Sequence, residues 1–327
     1  MRLFGLAMSL GLSLGLALPA QVQAQVQAQN FPNKSGQIIV PFAAGGITDI
    51  LARAWAEKFA EKTGQRFVVV NRPGANGIVG TESVTRAPAD GYTLLVAPDS
   101  TFTVIPHMSN KLKYEMADFE PVSGLGISPH ALVVPPDFPA KSFVEFIDYA
   151  KRNPTQIFYG TFGAGTSGHL NFLYFEKNTP GKFTPVHYSG AAPAINDLLG
   201  NHIKAMTVSI GLIAGNWEAG KLNVLAFGSP QRLEKFPNVP VMAETLPGFE
   251  AGSWYALFAP KGTPADVLET LSRATQEIFS DPAFEKQFLT PNFTFSIAKG
   301  AKDLRDRIQK DSNLWAPIIK DAKLTME

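Results

Sequence analysis

Nine short runs rich in apolar and β-branched residues recur along this chain, most of them closed by Gly, Pro or Ser before a helical pattern begins. They are GQIIVPF (36–42), RFVVVNR (66–72), YTLLVAP (92–98), ALVVPP (131–136), QIFYGTF (156–162), FTPVHYS (183–189), KAMTVS (204–209), LNVLAFG (222–228) and WYALFAP (254–260). Uninterrupted apolar stretches such as IIV, VVV and LLV fit strands covered by helices on both faces. Strands alternating with helices predict an α/β protein with mainly parallel sheets. Nine strands are too many for one comfortable sheet of this connectivity, so two sheets, hence two lobes, are expected. ALVVPP and WYALFAP, both bounded by proline, read as the crossovers. Lobe one then comprises 29–130 plus 258–327, and lobe two 131–257. Paired extended connections suit a hinge with a cleft between the lobes.

Helix signals agree with this division. Leu51, Trp55 and Phe59 recur at four-residue spacing, the stripe of an amphipathic surface helix. Ser142 and Glu145 form a capping box, and Thr263-Pro264 reads as a cap before a first-turn proline. Pro317 is expected to kink or split the last helix, near 302–320, because it removes a backbone donor.

The N-terminus has a different character. Residues 1–28 carry one charge, Arg2, then an apolar run from Leu3 to Leu18, then Pro19 and small residues with VQA ending at Ala24 and Ala28. This is the pattern of a cleavable secretory signal peptide. The run is ~16 residues, short of the ~20 of a membrane span. The mature protein is therefore expected in the periplasm.

Composition narrows the functions. Lys plus Arg number 29 against 28 Asp plus Glu, so there is no cationic surface for nucleic acid. Cysteine is absent, which excludes disulfides, thiolate metal sites and cysteine nucleophiles. The five histidines show no paired ligand spacing, so no metal and no cofactor are expected.

The loops at the strand ends are more informative. Ala43-Ala44-Gly45-Gly46-Ile47-Thr48-Asp49 comes after the first run and opens a helix. Gly163-Ala164-Gly165-Thr166-Ser167-Gly168 comes after the fifth, and Gly190-Ala191-Ala192-Pro193 after the sixth. Helix starts carry free N–H groups and a partial positive charge, and glycine lets a ligand approach the backbone. These loops contain no Lys or Arg, so an anion there would be held by neutral dipoles. Gly163 to Gly168 matches GxGxxG, but the next strand ends His187-Tyr188-Ser189 without the acid of a dinucleotide site. Gly165-Thr166-Ser167-Gly168-His169 is not GxSxG, and neither His169 nor His187 has a clear carboxylate relay, so Ser167 reads as a donor to ligand and no enzyme is expected.

With these residues in view, the chain resembles a known family. VPFAAGGITDILAR (40–53), VVVNRPGANGIVG (68–80), APADGYTLLVAP (87–98), FGAGTSGHL (162–170), YSGAAPAINDLLGN (188–201), AGKLNVLAF (219–227) and FPNVPVMAETLPGF (236–249) resemble the tripartite tricarboxylate receptors, the Bug-type periplasmic solute-binding proteins. The resemblance implies a two-lobe, type II-like binding protein, expected to be a monomer, that closes on a small carboxylate. It implies delivery to the membrane subunits of a tripartite transporter, or signalling to a sensor kinase; an exported hydrolase is the weaker alternative. By motif, the family's binding loops fall on Phe42, Ala43, Ala44, Gly45, Gly46, Thr48 and Asp49, and on Ser100 and Thr101. In the second lobe they fall on Gly163, Gly165, Thr166, Ser167 and His169, and on Ser189, Gly190, Ala191 and Ala192. The chain departs from the family near Val208-Ser209, where the aspartate common in relatives falls on Val208. An apolar edge there would suit a ligand without an amine, with Phe42, Phe102 and Trp254 adding aromatic surface for a terephthalate-like body. The other reading makes Val208 a packing change beside an ordinary aliphatic di- or tricarboxylate.

Overall fold

The computed structural model describes residues 31–188 and 190–326; the expected signal peptide lies outside them. All nine expected runs are strands: β1 (Gly36–Val40), β2 (Phe67–Asn71), β3 (Thr93–Pro98), β4 (Phe119–Val134), β5 (Ile157–Thr161), β6 (Phe183–His187), β7 (Ala205–Ser209), β8 (Asn223–Phe227) and β9 (Gly252–Pro260). A two-residue β10 (Phe295–Ser296) was not foreseen. The helices are α1 (Ile47–Thr63), α2 (Ile78–Thr85), α3 (Ser100–Thr103), α4 (Ile105–Met108), α5 (Phe143–Arg152), α6 (Ser167–Asn178), α7 (Ala191–Leu199), α8 (Ile210–Glu218), α9 (Ala265–Phe279) and α10 (Ala301–Asp321), with shorter turns between.

The strands lie on one hydrogen-bonded path, β2-β1-β3-β9-β4-β7-β5-β6, in which the two expected sheets share β4. β4 makes this possible. Its first part, Phe119 to Pro129, pairs antiparallel with β9, and from His130 onward it pairs with β7 and β8. ALVVPP is thus only the end of a 16-residue strand. The earlier part, FEPVSGLGISP, carries two prolines and two glycines, which mask a strand in sequence but sit at its register shifts and seam here. β2-β1-β3 and β6-β5-β7 are parallel, while β9, β4 and β8 run antiparallel, so the sheet is mixed rather than mainly parallel.

The chain returns to the first half at the seam. His130 N–H donates to Ala251 O, Ala251 N–H to Gly228 O, and Gly228 N–H to His130 O, at 2.9, 3.0 and 2.7 Å. A Cβ on Gly228 would lie 2.0 Å from Ala251 O, so only glycine fits there. β9 pairs with β3 and β4 from its first residue. Residues 252–257, expected in the second lobe, therefore belong to the first half of the sheet.

Each half buries apolar side chains on both sheet faces. Ile38, Trp55, Phe59, Leu94 and Leu271 pack on one face of the first half, and Ile39, Leu95, Phe102 and Phe258 on the other. In the second half, Phe146, Phe172 and Phe175 form one side and Met206, Val208, Ile213 and Phe227 the other. α10 straddles the halves: Leu304 and Ile308 join the first core, and Trp315, Ile318 and Ile319 the second. Of the expected kink or split, the split does not occur: the helix continues through Pro317, with buried Trp315, Ile318 and Ile319 on either side of the missing donor. Ser142 Oγ caps α5 as expected, accepting the Glu145 N–H at 3.2 Å. Thr263 is not a cap: its hydroxyl donates to Pro260 O, and Pro264 stands at the α9 start.

Candidate functional site

A cavity of about 370 Å³ lies between the two halves at the strand ends, within the size range of small-ligand sites. Phe42, Thr48 and Ser100 reach it from the first half, and Gly165, Thr166, Ser167 and Gly190 from the second. The structure thus brings together part of every binding loop inferred from sequence.

The first loop is held by an ion cluster. Asp49 is buried, and its Oδ2 accepts the Gly45 N–H and Arg53 Nε–H, each at 3.0 Å. Oδ1 accepts the Asn71 amide at 3.0 Å and faces the Arg53 guanidinium at 3.0 Å. Burial opposes ionisation of Asp49, but the Arg53, Gly45 and Asn71 hydrogen bonds together outweigh it and hold the carboxyl below its ordinary value. Asn71 also donates to Phe42 O at 3.0 Å, fixing the turn into the cavity. Asp49 therefore shapes the loop and does not line the cavity. Ala43, Ala44, Gly45 and Gly46 form an exposed rim beside it.

The second loop is held without charge. Gly165 N–H donates to His169 Nδ1 at 3.1 Å, Thr166 Oγ–H to Gly163 O at 2.8 Å, and Gly163 N–H to Thr161 Oγ1 at 3.2 Å. Nδ1 of His169 is thus the acceptor nitrogen, and the ring proton sits on Nε2. Burial, with His187 close by (ring centroids 4.9 Å apart), pushes the His169 pKa down to about 4, so the clamp is neutral. Ser167 meets Ser253 of β9 across the cavity at 3.3 Å.

Other residues inferred from sequence lie elsewhere. Val208 is fully buried in the second core, opposite Ala131, so it forms no cavity edge. Ser209 Oγ pairs with Ser128 Oγ at 2.7 Å inside the seam. Thr101 is fully buried, its hydroxyl without a partner among the described residues and its carbonyl accepting the Tyr114 hydroxyl at 3.0 Å. Gly163 and His169 support the loop from behind, Ala191 and Ala192 lie in the first turn of α7, and Ser189 falls outside the described residues. Phe102 and Trp254 are core residues; the aromatic wall comes instead from Phe42, Phe162, Tyr255 and Trp315.

Sequence reading missed Asp99, Tyr255, Trp315 and Met326 on the wall. Two of these were accessible: Asp99 stands at the carboxyl end of β3, where α/β ligand sites form, and alternation along β9 turns Tyr255 opposite to buried Trp254. Trp315 and Met326 come from the C-terminal region, with Met326 N–H bonded to Met108 O at 3.0 Å; no local signal marks them. Among the lining residues there is no Lys, Arg, His or Glu. Among the described residues no group of acids or histidines could hold a metal ion.

Known proteins share both the sequence pattern and this architecture. The family model described as "Tripartite tricarboxylate transporter family receptor" matches residues 51–324. A UPF0065 protein of Bordetella pertussis is 34% identical over 296 residues, covering 90% of this chain and 91% of that one. The periplasmic binding protein BugD is 31% identical with a TM-score of 0.75, over 90% of this chain and 99% of that one. R. palustris Rpa4515, solved with adipate, is 28% identical with a TM-score of 0.79, over 90% and 99%. MatC of Rhodopseudomonas palustris, solved with bound malate, is 28% identical with a TM-score of 0.74, over 88% and 100%.

Proposed function

The chain belongs to the tripartite tricarboxylate transporter receptor family, and from that premise we propose that it captures a small carboxylate in the cavity between its halves and passes it to the membrane subunits of such a transporter. The family consists of periplasmic solute-binding proteins and not of enzymes. No helix among the described residues is long and apolar enough to cross a membrane. We read residues 1–28 as the signal peptide that takes the chain to the periplasm.

One observation carries the carboxylate reading. Two helix starts, one from each half, reach a shared cavity, the first through Thr48 and the second through Gly165, Thr166 and Ser167, and the lining carries hydroxyls and no cationic side chain. Such groups suit a compact anion held by directed dipoles, each charge-assisted hydrogen bond contributing ~1.5–3 kcal/mol. A few of them, offset by desolvation and closure, reach the ~8 kcal/mol of micromolar affinity. The solved relatives with adipate and with malate support a carboxylate. The four aromatic wall residues leave room for an apolar or aromatic body, as in terephthalate.

A thermal-shift screen tests this. Adipate, malate, citrate, terephthalate and glutamate are compared at concentrations up to 10 mM. A carboxylate at 100 times its Kd adds ~2.7 kcal/mol and raises Tm by several degrees. Stabilisation by none of them overturns the reading, and stabilisation by glutamate alone points to an amino-acid ligand.

A further inference from the structure

Asp99 is the only acidic side chain among the residues lining the cavity, and it is 9% exposed. It stands where β3 passes into α3 and also lines a smaller hollow bounded by Glu250, Arg307 and Asp311. Its Oδ1 accepts the Ser100 N–H at 2.8 Å; among the described residues no side-chain donor lies within hydrogen-bond distance of the carboxyl. The nearby cations are committed elsewhere. On α10, Arg307 gives Nε–H to Asp311 at 3.3 Å and Nη2 to Glu250 at 3.1 Å, and Lys310 lies 3.6 Å from Glu250. Asp311 further accepts Trp254 Nε1–H at 2.6 Å. Tyr255 faces Asp99 from β9, its phenol kept protonated by burial. On the two loops, Asp49 is neutralised by Arg53 and His169 is uncharged. Burial first, and then the charge of Asp311, raise the Asp99 pKa to about 7, against the partial relief of the Ser100 N–H and Arg307.

An ionised Asp99 beside a bound carboxylate would place two negative charges in a wall without a compensating cation. One proton removes that conflict, converting repulsion into a short acid–carboxylate hydrogen bond. Building on the carboxylate reading above, we propose that Asp99 meets the ligand as a carboxylic acid, donating its proton to an oxygen of the bound anion, so that capture takes up a proton from solvent and selects acids that carry no ammonium group. An ammonium would have the opposite effect: it would favour ionised Asp99 and release a proton. The sign of the proton exchange therefore reports the class of ligand.

The experiment is titration calorimetry of the mature protein with adipate, malate and terephthalate as probes, from pH 6.5 to 9, in paired buffers of different ionisation enthalpy. For a probe that binds, Kd is expected to rise by up to ~tenfold per pH unit above the free Asp99 pKa, with uptake of up to one proton. Asp99→Asn should flatten the pH profile and abolish the buffer dependence. A flat wild-type profile, proton release, or a slope that survives in Asp99→Asn overturns the proposal while leaving the carboxylate reading intact. The wild-type proton count stands without the variant should Asp99→Asn fail to fold. Absence of heat from every probe at pH 6.5, in wild type and variant alike, removes the carboxylate reading and the proposal with it.

Discussion

The two glycine loops facing each other across the cavity solve one problem by different chemistry. Gly45 and Gly165 both adopt left-handed backbone, at φ +88° and +76°, and both donate N–H to the side chain four residues on. That side chain is Asp49 at the start of α1 and His169 at the start of α6. In each half a bare turn is pinned from behind by a side chain of the helix it opens. The first half uses an ion, tied to Arg53 and Asn71; the second uses a neutral, buried imidazole. The difference teaches that the walls are similar toward a ligand and dissimilar toward solvent conditions.

Acid gives the largest separation. His169 and His130 are held neutral by burial, with pKa values of about 4 against the ordinary 6.5. A histidine depressed on folding contributes stability that is present above 6.5 and is lost as pH falls toward 4. For groups this buried the loss is on the order of a few kcal/mol each. Asp49, held below its usual range, keeps the first clamp through that window. Thermal unfolding between pH 7 and 4 should show Tm falling, because the two histidines outweigh Asp99, whose raised pKa of about 7 adds stability as it takes up a proton in the same window, and hydrogen exchange should show α6 and β5 opening before α1 and β1. Equal loss of protection in both halves would break the comparison.

Removing the ion comes next. Asp49→Ala removes the acceptor of the Gly45 N–H, leaves the Asn71 amide with Phe42 O alone, and leaves Arg53 with Asn71 alone, at 3.1 Å. Because Arg53 is half exposed and finds water, the expected cost is about 2–3 kcal/mol and not that of a fully buried pair. Chemical denaturation measures it. Asp49→Asn should recover part of the loss, since it still accepts from Gly45. A loss below ~0.5 kcal/mol would mean the loop holds its shape without the clamp.

A glycine pair sharpens the contrast further. Alanine at either position is strained by ~1–2 kcal/mol in left-handed backbone. At Gly45 a new Cβ meets nothing within 4 Å, while at Gly165 it lies 2.3 Å from Met108 Sδ. Met108 lines the cavity and must then move within it. Gly165→Ala is therefore expected to weaken binding of whichever probe binds by about fivefold more than Gly45→Ala, a difference of about 1 kcal/mol read by calorimetry. Equal effects would show that Met108 yields without intruding.

These contrasts also mark how far sequence could be read. Strand runs and glycine turns were legible because strand burial and helix starts leave local signatures, and all nine runs are strands. The first part of β4 was not, because Pro121, Gly124, Gly126 and Pro129 violate strand propensity and are tolerated only at register shifts and the seam. The loops were placed, but their mechanics were not: Asp49 and His169 read as ligand contacts, since spacing cannot tell a side chain that faces the ligand from one that faces its own backbone. Val208 failed for a related reason, as alternation along β7 does not say which face meets a core. Trp315 and Met326 reach the wall through tertiary packing alone.

The smallest expected effect concerns a side-chain hydrogen bond that joins two residues of the cavity wall, one from each half. Ser253 Oγ–H donates to Ser167 Oγ at 3.3 Å, a long bond between half-buried hydroxyls, worth at most ~1 kcal/mol. If it latched the halves together, Ser253→Ala would lower Tm by several degrees and expand the protein in solution scattering. Neither is expected. β4 is continuous through the seam, and α10 anchors Leu304 and Ile308 in one core and Trp315, Ile318 and Ile319 in the other. At ~1.5–3 kcal/mol for each well-buried large apolar side chain, that helix outweighs the serine pair several-fold. Ser253→Ala should thus shift stability by less than ~1 kcal/mol and leave the scattering dimensions unchanged. A larger response would mean that the walls are braced against each other, and not each from behind by its own clamp.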